Sequence, residues 1–237
     1  MPERKEASAM LSATQADTQR PPPSHARVLG IISEIDGDGA TAYEIQNGSR
    51  IHFWYGFRFQ AAGTTYYTGF AWITPEKYGE ARAAGIKDPE APVTLAHATF
   101  VAEPTGTAEP WSLLGSEPWI GTFGRDEQGN AVDLSREPVV ADTATGHLLL
   151  AVPSMDGDRP SAEILLFDPQ PLQDIDARKW THLGTVPVNA GSRLAFVPRH
   201  DGVLPDIAVS LESAASTDHA LVHAYDPQSH TYRSVPR

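Results

Sequence analysis

Two histidines four apart, His219 and His223, are the first residues whose spacing could do chemistry. On a helix such a pair shares one face and can chelate a metal. Here the pair lies in a strand-like stretch, where positions four apart are too far separated for one ion, so both read as surface histidines of a strand. Two Asp-x-Asp pairs, Asp36/Asp38 and Asp156/Asp158, have the spacing with which calcium loops begin. The next donor would fall on Ala40 or Pro160, and neither offers a side-chain oxygen. Asp36 and Asp38 remain the calcium candidates, but metal-free hairpin turns are the expectation, and no cofactor is expected. A serine-hydrolase elbow is missing: Gly115-Ser116-Glu117 and Gly191-Ser192-Arg193 lack the flanking glycines. No glycine-rich loop is present to cradle a phosphate. The chain has no cysteine, hence no thiol nucleophile and no disulfide. These residues predict a protein that is not an enzyme. The alternatives are a hydrolase of envelope glycans or lipids, working through carboxylates, and a non-catalytic β-scaffold module.

What the chain does offer is acidic turns and tryptophans. Asp36, Asp38, Asp126, Glu127, Asp156, Asp158, Asp174 and Asp176 fall in turn-like stretches, with Trp111, Trp119 and Trp180 near them in sequence. Carboxylates on loops steer a basic partner, and tryptophans are frequent anchors at interfaces, so these eleven residues are the candidate partner-binding set. The net charge of −12 agrees. Four basic residues against three acidic ones leave +1 on residues 1–28, so the rest of the chain carries −13. Such a body repels nucleic acid and anionic lipid.

Elements that could position these residues are mainly strands. Twenty prolines and 19 glycines, spread along the chain, suit short strands and turns. Residues 1–27 are polar, end near Pro21-Pro22-Pro23 and read as a disordered tether; deleting residues 1–26 is expected to leave stability unchanged. Val28–Ile32 is a short apolar run. Nine aromatics lie between Phe53 and Trp72, and Ile51, Phe53, Tyr55, Phe57 and Phe59 alternate with His52, Trp54, Gly56 and Arg58. That pattern predicts a long hairpin with one face in a core, although Trp54, Tyr66 and Tyr67 could line a binding surface. Thr74-Pro75-Glu76 has the chemistry of a helix start, and Gly85 would end it, so one short helix is expected near 74–85. Val93–Ala102 reads as a strand carrying His97. A soft boundary at 142–146 divides an aromatic-rich β region, 28–141, from a tandem hairpin region, 142–237, and the two could form one continuous domain.

The hairpin region repeats a phrase. An apolar run, Val-Pro, two residues, Asp-Gly and a second apolar run occur from His147 and again from Arg193. Asp-Gly between apolar runs marks a tight hairpin turn. The phrase Asp201-Gly202-Val203-Leu204-Pro205-Asp206-Ile207-Ala208-Val209 resembles the hairpin of FG-GAP and VCBS-type repeat proteins. The closing stretch, His223 to Arg233 with Tyr225-Asp226-Pro227-Gln228 in it, is similar to the last hairpin of periplasmic lipoproteins of that group, which act as lysozyme inhibitors and antibacterial immunity proteins. The chain departs by one extra residue between Asp-Gly and Pro-Asp, and by Val197 and Arg199 where calcium ligands would stand. The resemblance covers residues 146–237. It implies an all-β, β-propeller-like or stacked-hairpin sandwich fold. It further implies secretion to the periplasm and the binding of a protein toxin through loops. The acidic body adds the expectation that this toxin, a peptidoglycan hydrolase or lipase, has a basic active-site rim that is blocked, and the polar N-terminal stretch the expectation of a lipid anchor.

Overall fold

The computed structural model describes residues 20–35, 42–44, 49–74, 92–104, 106–124, 127, 129–143, 146–169, 178–188, 192–199, 204–211 and 221–235, with only the backbone for 42–44 and 211. Its strands form three antiparallel sheets, of which the first and third follow the chain as meanders. The first contains β1 (Ala42–Glu44), β2 (Arg50–Ala61), β3 (Thr64–Thr74), β4 (Val93–Ala102) and β5 (Trp111–Phe123) in that order. The second contains β6 (Ala131–Val132), β7 (Val139–Asp142), β8 (Leu148–Asp156), β9 (Arg159–Phe167) and β10 (Trp180–Pro187); β6 and β7 both pair with β8. The third contains β11 (Ser192–Val197), β12 (Asp206–Leu211), β13 (Leu221–Asp226) and β14 (Thr231–Val235). A mainly antiparallel all-β fold of stacked hairpins is thus what the chain forms. The described strands close no barrel or ring.

The sheets stack as layers, and the second lies in the middle. Leu148, Leu150, Val152, Leu165, Phe167 and Trp180 pack with Phe59, Phe70, Leu95 and Phe123 of the first sheet. Leu149, Ala151, Ala162, Ile164, Leu183 and Val186 pack with Ile207, Val209 and Tyr232 of the third. Successive side chains of a strand point to opposite faces, so a strand covered on both sides needs an unbroken apolar run. That is why β8 reads Leu-Leu-Leu-Ala-Val from Leu148. Pro153 sits inside this central strand because the neighbour on one side changes there: β7 pairs with Leu148–Ala151, β6 with Ser154 and Met155. Gly157, at φ 59°, is the first residue of the β8–β9 turn, the left-handed conformation that the Asp-Gly signal anticipates. The β11–β12 hairpin forms as well, though Asp201 and Gly202 lie outside the described residues.

The aromatic hairpin is β2–β3, but its alternation does not keep one face. Phe53 pairs with Ala71 and Tyr55 with Phe70, so Trp54 is an extra residue, a β-bulge. Ile51 and Phe53 therefore face one side with Tyr67 and Ala71, and Tyr55, Phe57 and Phe59 face the second sheet. Trp54 follows the latter group and donates its Nε1–H to the Leu134 carbonyl at 3.0 Å. Tyr66 and Tyr67 are buried.

The outer face of the first sheet is covered by α1 (His25–Ser33), which corrects the tether expectation over residues 20–27. Ser24 caps the helix by accepting the Arg27 N–H, and Glu34 ends it in the left-handed region. Val28, Leu29 and Ile32 recur at helical spacing and are its buried face. Gly69 of β3 lets the helix approach: a Cβ there would stand 2.7 Å from a Val28 methyl. Ahead of the helix, Arg20 donates to the Pro110 carbonyl at 3.2 Å, and the Trp111 indole N–H donates to the Pro21 carbonyl at 2.7 Å. The helix expected near 74–85 lies outside the described residues beyond Thr74, which ends β3. The boundary at 142–146 falls in the β7–β8 connection, within the second sheet; the chain leaves the first sheet after Phe123 and the second after Pro187. No helix among the described residues is long and apolar enough to cross a membrane.

Candidate functional site

A half-buried carboxylate, Glu117, and a fully buried one, Glu163, meet histidines where the first and second sheets pack. In the first pair, β4 and β5 place His97 opposite Glu117. His97 is fully buried, its Nε2 hydrogen-bonded to Glu117 Oε2 and its Nδ1 3.0 Å from Thr99 Oγ1. The other Glu117 oxygen accepts the backbone N–H of Lys179, just ahead of β10, at 3.0 Å. Thr99 Oγ1 lies 2.8 Å from Thr68 Oγ1, and the Trp180 indole N–H reaches both hydroxyls at 3.3 Å. Burial by itself pushes the Glu117 carboxyl upward. The His97 hydrogen bond and charge, with the backbone N–H groups of Lys179 and Trp180, more than offset it and hold the carboxyl below its ordinary value.

That direction sets a pH dependence. A carboxyl depressed in the folded state contributes stability that is whole above its unfolded pKa, here the ordinary 4.5. As the pH falls below that value the unfolded chain takes the proton first, and the contribution is lost through the lower, folded pKa. Glu117→Gln keeps the shape and removes the titration. Urea unfolding at a series of pH values below 4.5 should show a shallower fall in midpoint for this variant than for the parent chain.

The second pair centres on Glu163 of β9, which is fully buried. Oε1 accepts from Ser154 Oγ at 3.0 Å and the Asn130 N–H at 3.1 Å; Oε2 accepts from Thr185 Oγ1 and meets His182 Nε2, both at 2.8 Å. Ser161 bridges Ser154 and the Asn130 amide. Gly129 leaves the room: a Cβ there would lie 2.8 Å from Glu163 Oε2 and against the Phe123 ring. Phe123, of the first sheet, also presents its ring edge-on to His182 at 5.0 Å.

Glu117, His97 and Thr99 have the order of an acid, a base and a hydroxyl nucleophile. The Thr99 hydroxyl, however, is fully buried and engaged by Thr68 and Trp180, so no substrate reaches it. Glu163 has a partner in every direction and none to spare. Both networks join strands and sheets through fully satisfied groups, as buried polar groups must be. Among the described residues no group of three or more metal-ligating side chains gathers. The signals for these residues were in the chain: His97 stands in an apolar strand, and Glu163 interrupts the run Ala162-Glu163-Ile164-Leu165-Leu166. Nothing in the sequence pairs them with Glu117 or His182.

The acidic turns and tryptophans separate. Trp111 is 1% exposed beneath the Arg20 and Arg58 guanidiniums, each 5.5 Å from its ring, and Trp180 is 0% exposed between the sheets. Neither can touch a partner in this arrangement. Trp119 is 44% exposed on β5, its indole N–H donating to Thr122 Oγ1 at 3.2 Å and its ring under the Arg178 guanidinium at 5.3 Å. Glu127, Asp156 and Asp158 are exposed, and the structure brings them to one end. β5 runs into the turn holding Glu127, which Gly129 closes against Phe123 and Gly124. β6 then pairs Ala131 with Met155, next to the β8–β9 turn. Asp36, Asp38, Asp126, Asp174 and Asp176 lie outside the described residues, as does His219. His223, expected at the surface, is instead 3% exposed on the inner face of β13.

Fold and site together define an all-antiparallel-β protein of three stacked sheets, with its histidine–carboxylate pairs turned inward and acidic turns outward. No family model matches the chain, and no curated protein matches it.

Proposed function

We propose that the protein is a non-catalytic binding protein of the bacterial envelope, an immunity protein that occludes the active site of a secreted antibacterial hydrolase of peptidoglycan or lipid. The observation that carries the reading is that the Ala131–Met155 pairing sets the Glu127 turn and the Asp156–Asp158 turn toward one end of the stack, the end at which β5, the strand that exposes Trp119, finishes. An enzyme that works on anionic wall polymer or lipid has a basic rim, and a body of this charge is steered to it. Affinity would then rest on an aromatic anchor, and Trp119 is already held in place by Thr122 and Arg178, which lowers the entropy lost on binding. A periplasmic location, with a lipid anchor attached ahead of residue 20, belongs to the same proposal.

The test is rescue. A periplasm-directed form of this chain should protect bacteria that produce the hydrolase encoded beside its gene. No rescue, together with no complex on size-exclusion chromatography at low salt, ends the proposal. Reversing Glu127, Asp156 and Asp158 to lysine together should slow association by about tenfold or more at low ionic strength, and the difference should shrink in high salt. Trp119→Ala should act mainly on dissociation.

A further inference from the structure

The seam between the second and third sheets contains an imidazole in a place made for an apolar side chain. His223 lies opposite Ile207 of β12 on one side and Ser234 of β14 on the other. Directly opposed residues share a face, so the ring points with Ile207 and Val209 toward the second sheet. It is 3% exposed, and its Nε2 has no hydrogen-bond partner among the described residues. The second sheet packs Leu149, Ala151, Ala162, Ile164, Leu183 and Val186 into this seam. On its own sheet the titratable neighbours are two tyrosines. Tyr225 stands two residues along β13, and Tyr232 of β14 lies opposite Tyr225 and donates to the Pro205 carbonyl at 2.9 Å. Burial raises both phenols, so both stay neutral in acid. Charged groups on this sheet are paired: Asp226 with Arg233 at 3.3 Å at the β13–β14 turn, and Asp206, next to Ile207 on β12, with Arg199 at 3.3 Å.

We infer that His223 makes the docking of the third sheet proton-dependent: mild acid releases β11–β14 from the second sheet while the first and second sheets stay together. A charged imidazole at this place would be a buried cation whose Nε2 has no anion or acceptor among the described residues, and such a group opens the structure rather than remain. The other seam behaves differently because its histidines face carboxylates. His97 lies against Glu117 and His182 against Glu163, so neither ring stands without an anion beside it.

The direction follows from linkage. Burial holds the His223 imidazole below its ordinary 6.5. Above that value both the docked and the released forms are neutral, and pH has no effect. Below it the released imidazole takes a proton that the docked one refuses, so opening rises by up to about tenfold per pH unit, then levels off beneath the docked pKa.

Hydrogen exchange of the full chain reads this by segment. From about pH 7.5 to about pH 5, with the chemical exchange rate divided out, amides of β11–β14 should lose protection while those of β2–β5 keep theirs. His223→Leu, which fills the same space without titrating, should hold β11–β14 protected across the range. Unchanged protection in the parent chain, or an equal loss in the variant, overturns the inference. Should the leucine variant not fold, the ring-proton resonance of His223 in the parent chain decides. Its titration must coincide with the loss of protection, and a separate midpoint overturns the idea equally.

Discussion

Trp180→Ala should cost about 3–5 kcal/mol of folding stability, a large share of what holds a domain together. The indole is fully buried where the first two sheets meet. Its ring centre lies 5.0 Å from that of Phe70, 5.3 Å from Phe167 and 6.3 Å from Phe59, so truncation opens a hole bordered by both sheets. The indole N–H also closes the chain of Thr68, Thr99, His97 and Glu117. Trp180→Phe separates the two contributions. It keeps most of the ring and removes the donor, while Thr68 and Thr99 still satisfy one another at 2.8 Å. The loss should then fall to about 1–2 kcal/mol, one hydrogen bond and a few carbons. Urea unfolding followed by far-ultraviolet circular dichroism measures both variants. Equal losses in the two would mean that the hydrogen bond, and not the packing, ties the sheets.

The strands were legible because their signals are local. Alternation marked β2 and β3, and Asp-Gly marked the β8–β9 turn, where Gly157 takes the positive φ. The bulge at Trp54 was not legible, because aromatic residues occupy both faces of β2 and an alternating pattern runs straight through the extra residue. The unbroken apolar run from Leu148 was visible as a strand. Its cause, a sheet covered on both faces, depends on partners far along the chain on either side, Phe59, Phe70 and Leu95 before it and Ile207, Val209 and Tyr232 after it. Tryptophans show the same division. Nothing near Trp111 or Trp119 in sequence says that Arg20 and Arg58 cover the first and that the second stays open. Helix α1 hid for a different reason: nine residues in a polar, proline-rich stretch give only one apolar stripe, Val28, Leu29 and Ile32, and that stripe also reads as a short strand.

Removing residues 1–33 should therefore unfold the protein or leave it barely stable. Val28 and Leu29 are fully buried and Ile32 is 5% exposed, against Ile51, Tyr67, Ala71, Ala96, Ala98, Phe100 and Trp111. Each of the three contributes about 1.5–3 kcal/mol by burial, and the sheet residues beneath lose their cover at the same time. Polar ties go with them: Arg27 donates to the Trp111 carbonyl at 3.1 Å and lies over the Phe100 ring, and Arg58 donates to the Arg20 carbonyl. A cut after residue 26 is the graded version. It spares the apolar stripe but removes the Ser24 cap, the stacking of His25 on Phe53 at 3.7 Å and the Pro21 carbonyl that holds the Trp111 indole. The cap alone is worth about 1 kcal/mol. Thermal unfolding of the two truncations and of Leu29→Ala, for which about 2–5 kcal/mol is expected, should therefore rank them, with the cut at 33 the most damaging. If the cut at 33 melts with the parent chain, α1 is not the cover of the first sheet, and the apolar face that it leaves must find its partner elsewhere.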